Sequence, residues 1–261
     1  MKSMVDYIAD LARKAEARVR RGYYDNVQSG KRSSESLVET IQKSSITPVI
    51  TEVKFASPSA GRIRDQGDAL GIAEAMLRGG ACAISVLTDP EDFHGNLETL
   101  ATLSRRVDAP LVMKDIVVSP VQIEAATRAG ARAVVLISEI FSRGLVEQPL
   151  DELVGKAHRV GLDVLLEANS LDEFRKLADH EPDLYGINNR NLSTFNLDLS
   201  TTERVLAANG HVDRPIVSES GIEHPEDILR LKKAGADAFL VGTSIMKSTD
   251  VESKVRELVN A

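Results

Sequence analysis

From residue 46 onward the chain alternates short, apolar, β-branched runs with longer segments of mixed polarity. The runs are TPVITEVKF, ACAISVLTD, PLVMKDIVV, AVVLISEI, DVLLEANS, LYGINNRNL, PIVSESGI and AFLVGTSIM. Most stay apolar until their ends, which marks parallel strands covered on both faces. Between them lie segments with a helical rhythm: DALGIAEAMLRGG, NLETLATLSRRV, SPVQIEAATRAG, PLDELVGKAHRVG, SLDEFRKLAD, DLSTTERVLAAN and HPEDILRLKKAG. DVESKVRELVN closes the chain as another. Several open on Ser, Asp or Asn, whose side chains accept from the free N–H groups of a first turn, and several end in Gly. Pro120 and Pro225 stand just after Ser119 and His224, at helix starts where a missing N–H costs nothing.

An internal echo supports the count. RGGACAISVL, RAGARAVVL and KAGADAFLVG share one plan: a basic residue, a Gly-Ala turn and an apolar strand. Gly80 and Gly130 are 50 positions apart, and Gly130 and Gly235 are 105 apart. If these turns precede strands 2, 4 and 8, each unit is about 25 residues, a compact βα period. Eight such units predict an α/β protein, a single closed (β/α)8 TIM barrel over residues 46–261. An open doubly wound sheet is the alternative, but KFASPSAGR after the first strand is not the GxGxxG turn such sheets usually carry.

Residues 1–45 stand outside the repeat. MVDYIADLARKAEARVRR has an amphipathic helical rhythm, and SGKRSSESLVETIQKS predicts a second helix, with Ser36 and Glu39 at capping-box spacing. Both read as an N-terminal helical extension over one end of the barrel, so that 1–261 forms one domain.

Composition narrows the classes. The chain has 261 residues, 43% of them hydrophobic and 27% charged, enough for a substantial core. It contains no run of 18 apolar residues, and its charged start lacks a signal-peptide core, so a cytoplasmic protein without membrane contact is expected. The net charge of −7 argues against nucleic-acid partners. A monomer is the simplest expectation. Cys82 is the only cysteine and sits among apolar neighbours, which predicts a buried, unreactive thiol. The histidines at 94, 158, 180, 211 and 224 and the lone cysteine show no metal-ligand spacing, so no metal is expected.

In such a barrel the C-terminal strand ends carry the chemistry. Glu52 and Lys54 end the first run and point to one side; Lys114 and Asp115 end the third. Glu167 and Asn169 end the fifth, Asn188, Asn189 and Arg190 the sixth, and Ser218, Glu219, Ser220 and Gly221 the seventh. Gly242, Thr243 and Ser244 end the eighth. Taken singly, a lysine at a strand end is more often a solvated rim residue than a catalyst. Solvation does not require these groups to converge, whereas lysines and glutamates in one cleft tune one another for proton transfer. Gly221 and Gly242 follow strands 7 and 8, the usual phosphate-binding position of this architecture.

The ordered set EVKFASPSAG, LTDPEDFHGN, MKDIVV, LLEAN, GINNRNL, SESGI and VGTSIM resembles the indole-3-glycerol phosphate synthases of tryptophan biosynthesis over nearly the whole chain. The resemblance implies cofactor-free ring closure of 1-(2-carboxyphenylamino)-1-deoxyribulose 5-phosphate, a small phosphorylated substrate, with loss of CO2 and water. It implies Lys114 as the acid at the ketone and Glu167 as the base. Lys54 would be both substrate-anion partner and acid, Glu52 would tune the lysines, and Asn188 and Glu219 would orient substrate. Ser57, Ser220, Gly221, Gly242 and Thr243 match carboxylate and phosphate contacts, Arg190 lies beside the ring, and Phe93 packs on it. Three positions depart from the pattern: Ile116 replaces a common Phe, FHGN replaces FxGS, and NNRNL replaces NxRDL. Other phosphate barrels stay open as alternatives: phosphoribosylanthranilate isomerase, which pairs a cysteine with an aspartate, and a lysine-imine aldolase. So does a barrel kept only for binding.

Overall fold

The computed structural model describes residues 6–58, 60–65, 67–209 and 212–261. The eight apolar runs form strands β1 (Val49–Val53), β2 (Ala83–Leu87), β3 (Leu111–Lys114), β4 (Ala133–Ile137), β5 (Asp163–Ala168), β6 (Leu184–Asn188), β7 (Ile216–Glu219) and β8 (Ala238–Val241). Each pairs in parallel with its neighbours in sequence, and β8 pairs back onto β1 to close the barrel. Helices α1 (Tyr7–Arg20) and α2 (Leu37–Lys43) precede it. An outer ring follows: α3 (Ala69–Arg78), α4 (Leu97–Ser104), α5 (Pro120–Ala129), α7 (Leu150–Arg159), α8 (Leu171–Leu177), α9 (Ser200–Asn209), α10 (Pro225–Ala234) and α12 (Val251–Val259). Two short helices, α6 (Ser138–Ser142) and α11 (Thr243–Lys247), sit directly after β4 and β8.

Local chemistry explains the boundaries. Ser36 and Glu39 form the expected capping box on α2. Ser119 caps α5, with Pro120 in its first turn, and Gly130 ends that helix in the left-handed region at φ 89°. The run AFLVGTSIM is not one strand. It turns helical at Thr243, as AVVLISEI does at Ser138, because a short apolar run fits a buried strand and a buried helical turn equally well. The SPSAG loop after β1 holds a small antiparallel pair, Ala56–Ser57 with Gly61–Arg62, which alternation did not reveal. Ser59 of that loop, His211 and residues 1–5 at the start of the predicted first helix lie outside the described residues.

The extension corrects its expected placement. It reaches both ends of the barrel, not one. Helix α2 plugs the N-terminal end: Leu37 and Ile41 pack with Ile50, Ala83, Val112, Ala133, Leu165, Leu184, Val217 and Ala238. The Val38 amide donates to Asp163, the first residue of β5. Helix α1 lies at the other end, where Ile8, Leu11, Ala12 and Ala15 bury against Ile116, Val118, Ile137 and Ile140. Cys82 also departs from expectation. It is half-buried, beside the α2 plug and far in sequence register from the strand C-termini. Burial pushes its thiol up to about 12, so it remains unreactive.

Candidate active site

Strand alternation sets the site. Ile50, Val112, Leu165 and Val217 belong to the packed barrel interior. Two residues further along each strand, toward its C-terminus, stand Glu52, Lys114, Glu167 and Glu219, so the same faces turn from apolar to charged. Register fixes their heights: Leu87 pairs with Lys114, Ile137 with Glu167, Glu167 with Gly186, and Asn188 with Glu219.

Above them opens a cleft of about 1150 Å³, its mouth included. Every residue that the family resemblance assigns to the site lines it: Glu52, Lys54, Ser57, Phe93, Lys114, Glu167, Asn188, Arg190, Glu219, Ser220, Gly221, Gly242 and Thr243. Of the other strand-end groups Asp115 and Ser244 line it too, whereas Asn169, Asn189 and Ser218 do not. The Lys114 ammonium donates to Glu167 Oε2 at 2.9 Å and to Glu219 Oε2 at 3.2 Å. Glu167 in turn accepts from Asn188 Nδ2 at 2.7 Å. Asn188 Oδ1 accepts the Arg190 amide at 2.9 Å, fixing the start of the β6 loop. Lys54 is ion-paired with Glu52.

The electrostatics follow from burial. Desolvation pulls the Lys114 ammonium down, but Glu167, Glu219 and Glu52 together outweigh it, and its pKa stands above that of a free lysine. Burial pushes Glu219 up to about 8, against the pull of Lys114 and with the help of Glu167. Burial thus holds a proton on Glu219 toward neutral pH.

Opposite characters line the rest of the cleft. One wall is apolar: Phe93, Ile116, Ile137 and Leu192, joined by Tyr7 and Leu11 of α1. Phe195 of the β6 loop packs on Tyr7 with ring centroids 4.8 Å apart. At another edge Ser220 and Gly221 are consecutive left-handed residues, at φ 68° and 82°, bending the β7 loop sharply beside the start of α11. Ser244 Oγ donates to Ile222 O at 2.9 Å and ties the β7 and β8 loops together.

Sequence reasoning missed Tyr7, Leu11 and Phe195. Tyr7 and Leu11 were visible only as part of an amphipathic stripe, and Phe195 only as a loop aromatic. It also missed Glu139 after β4, which accepts from Asn169 Nδ2 at 2.9 Å and Ser193 Oγ at 3.1 Å and so braces the β5 and β6 loops. The run AVVLISEI did show an acid at a strand end. The departures from the family pattern are structurally mild. Asn96 caps α4 by accepting from the Glu98 amide at 2.7 Å, as a serine can. Asn191 accepts from the Ser193 and Thr194 amides at 3.0 and 2.8 Å, as an aspartate can. Ile116 is buried under α1 in the apolar wall.

Fold and site together define a (β/α)8-barrel enzyme with its charged groups at the C-terminal strand ends. Known proteins narrow this. The sequence model of the indole-3-glycerol phosphate synthase family matches residues 4–258. A relative from Methanopyrus kandleri, named indole-3-glycerol phosphate synthase, is 43% identical over 217 residues, covering 82% of this chain and 83% of its own. One of the same name from Koribacter versatilis is 42% identical, covering 81% and 79%. Among solved structures, a thiamine phosphate pyrophosphorylase from Pyrococcus furiosus superposes with TM-score 0.58 at 20% identity, over 82% of this chain and 93% of that one. An N-acetylmannosamine-6-phosphate 2-epimerase from Clostridium perfringens does so with TM-score 0.60 at 14% identity, over 83% and 93%. These two show the barrel alone. The chain belongs to the indole-3-glycerol phosphate synthase family.

Proposed function

We propose that this chain closes the indole ring of 1-(2-carboxyphenylamino)-1-deoxyribulose 5-phosphate, releasing CO2 and water to give indole-3-glycerol phosphate. The observation that carries the residue roles is the double grip on Lys114 by Glu167 and Glu219, across one cleft from the Lys54–Glu52 pair. The carboxylate-bearing ring carbon attacks the ketone carbon, and Lys114 protonates the ketone oxygen as the new bond forms. Loss of CO2 restores the aromatic ring. Glu167 then takes the proton that dehydration requires, and Lys54 supplies one to the departing hydroxyl. Glu52 tunes Lys54, while Asn188 and Glu219 orient the groups about Glu167 and Lys114. Ser57 and Lys54 face the substrate carboxylate, and Phe93 and Arg190 flank its ring. The turn at Ser220 and Gly221, with Gly242 and Thr243, offers backbone N–H groups to the phosphate. No cofactor is needed, because the leaving carboxylate supplies the electron pair that restores the ring.

Two neighbouring readings fit less well. An imine-forming aldolase needs a neutral lysine, and the carboxylates around Lys114 favour its charged form. An isomerase of the cysteine–aspartate kind would need a thiol in the cleft, whereas Cys82 sits beside the α2 plug. Extension and barrel act as one domain, with the small phosphorylated substrate as ligand and no nucleic-acid partner. A cytoplasmic location and a monomeric state are part of this proposal; among the described residues, no helix is long and apolar enough to cross a membrane. The test is direct: incubation with the carboxyphenylamino substrate yields a fluorescent indole product at a saturable rate. Binding of that substrate without any product would overturn the assignment.

A further inference from the structure

Gly186 lies in the middle of β6, beside Glu167 on β5 in register. Its φ is outside the left-handed region, so backbone conformation does not call for glycine. Nor does strand propensity, since glycine weakens a strand interior and often marks a close approach. What the position lacks is room. A Cβ there would stand 2.7 Å from Glu219 Oε1, 3.2 Å from the Glu167 Cα and 3.3 Å from Leu165 Cδ1. The contact with Glu219 is the one that no ordinary Cβ tolerates; the other two ask for shifts of a few tenths of an ångström.

Glu219 uses Oε2 to hold Lys114, while its Oε1 is buried and makes no hydrogen bond among the described residues. That oxygen occupies the space beside Gly186. A side chain at 186 would therefore push the carboxyl group away and loosen one of the two grips on Lys114. The same device recurs just after β8: a Cβ at Gly242 would collide with Glu52 Oε2, again with φ outside the left-handed region. We infer that Gly186 is a positioning residue, whose missing Cβ is the clearance that seats the Glu219 carboxyl against Lys114. Its effect on rate rests on the synthase reading above; the contact itself does not.

A double-mutant cycle of Gly186→Ala with Glu219→Asp tests this, because the shorter aspartate vacates the contested space. It is read by steady-state ring closure and by thermal unfolding. In the native background Gly186→Ala lowers kcat about 10- to 100-fold with KM changed by less than about threefold, the loss expected when a reacting group is misplaced by about 1 Å. In the Glu219→Asp background the same substitution costs less than about threefold, and the unfolding midpoints show the same lack of additivity. Equal losses in both backgrounds would overturn the inference. If Gly186→Ala folds only when residue 219 is shortened, the clearance is upheld; if it folds in neither background, the strand packing around Glu167 and Leu165 demands the glycine and the inference fails. A wild-type chain with no turnover would sink the synthase reading and leave the contact to be decided by the unfolding midpoints.

Discussion

Asn188 and Asn189 are neighbours with opposite orientations. Asn188 faces the cleft and donates to Glu167. Asn189 faces the helix layer, where its amide nitrogen donates to Ser218 Oγ, Glu219 O and Ser220 O and its oxygen accepts from the Thr202 amide and hydroxyl. Asn188→Ala should lower turnover about 10- to 100-fold, since the bond that positions Glu167 is lost, and should cost about 1 kcal/mol in urea unfolding, since the Arg190 amide loses its acceptor. Asn189→Ala should cost about 2–3 kcal/mol in urea unfolding, because it strands several buried partners. Glu219 makes a pH prediction. Its folded-state pKa, pushed up by burial to about 8, lies above the ordinary 4.5. Folding therefore takes up a proton between those values, and this contribution to stability is full below about pH 4.5 and lost as pH rises toward 8. Thermal melts of Glu219→Gln should show a flatter pH dependence across that window; an unchanged slope would contradict the proton's placement.

At the scale of elements, α1 is held by a ladder of cations three or four residues apart, facing the acids of the β2 loop. Lys14 pairs with Asp92 at 2.8 Å, Arg18 with Asp89 at 2.7 Å and Arg21 with Glu91 at 2.5 Å. This loop also carries Phe93, so the ladder sets the apolar wall of the cleft. Arg18 is only 1% exposed and also reaches Asp115 at 3.4 Å, the residue next to Lys114. Asp115 is further bound by Thr88 Oγ1 at 2.6 Å and Tyr24 OH at 3.1 Å, and burial holds its pKa up at about 6 despite Arg18. Removing Arg18 leaves two buried carboxylates short of a partner. Arg18→Met should cost about 3–5 kcal/mol in urea unfolding, whereas Arg21→Met at the exposed end should cost less than about 1 kcal/mol. In the sequence, ARKAEARVRR reads only as part of an amphipathic helical rhythm. The partners of its cations were not legible, because nothing in the sequence pairs Arg18 with residues 71 and 97 positions away.

At the scale of the molecule, the alternation of apolar runs was enough to expose the barrel, because parallel strands buried on both faces leave long apolar stretches and their charged ends stand out against them. The strand-end groups Glu52, Lys114, Glu167 and Glu219 were legible for that reason. The contributions of Tyr7, Leu11 and Phe195 were not, because an amphipathic helix and a loop aromatic carry no mark of which end of a barrel they will cover. Nor was the split of the extension, with α2 plugging one end and α1 walling the other. The need for glycine at 186 appears only when Glu219 from the next strand is seen beside it. On the proposed reading, these converging groups carry ring closure through the doubly held Lys114. The most direct test is single-turnover indole formation by Lys114→Ala, with folding verified by circular dichroism. Without the Lys114 ammonium the rate should fall about 10²- to 10⁴-fold below that of the native chain, with substrate still bound. A rate within tenfold of the native chain would contradict it.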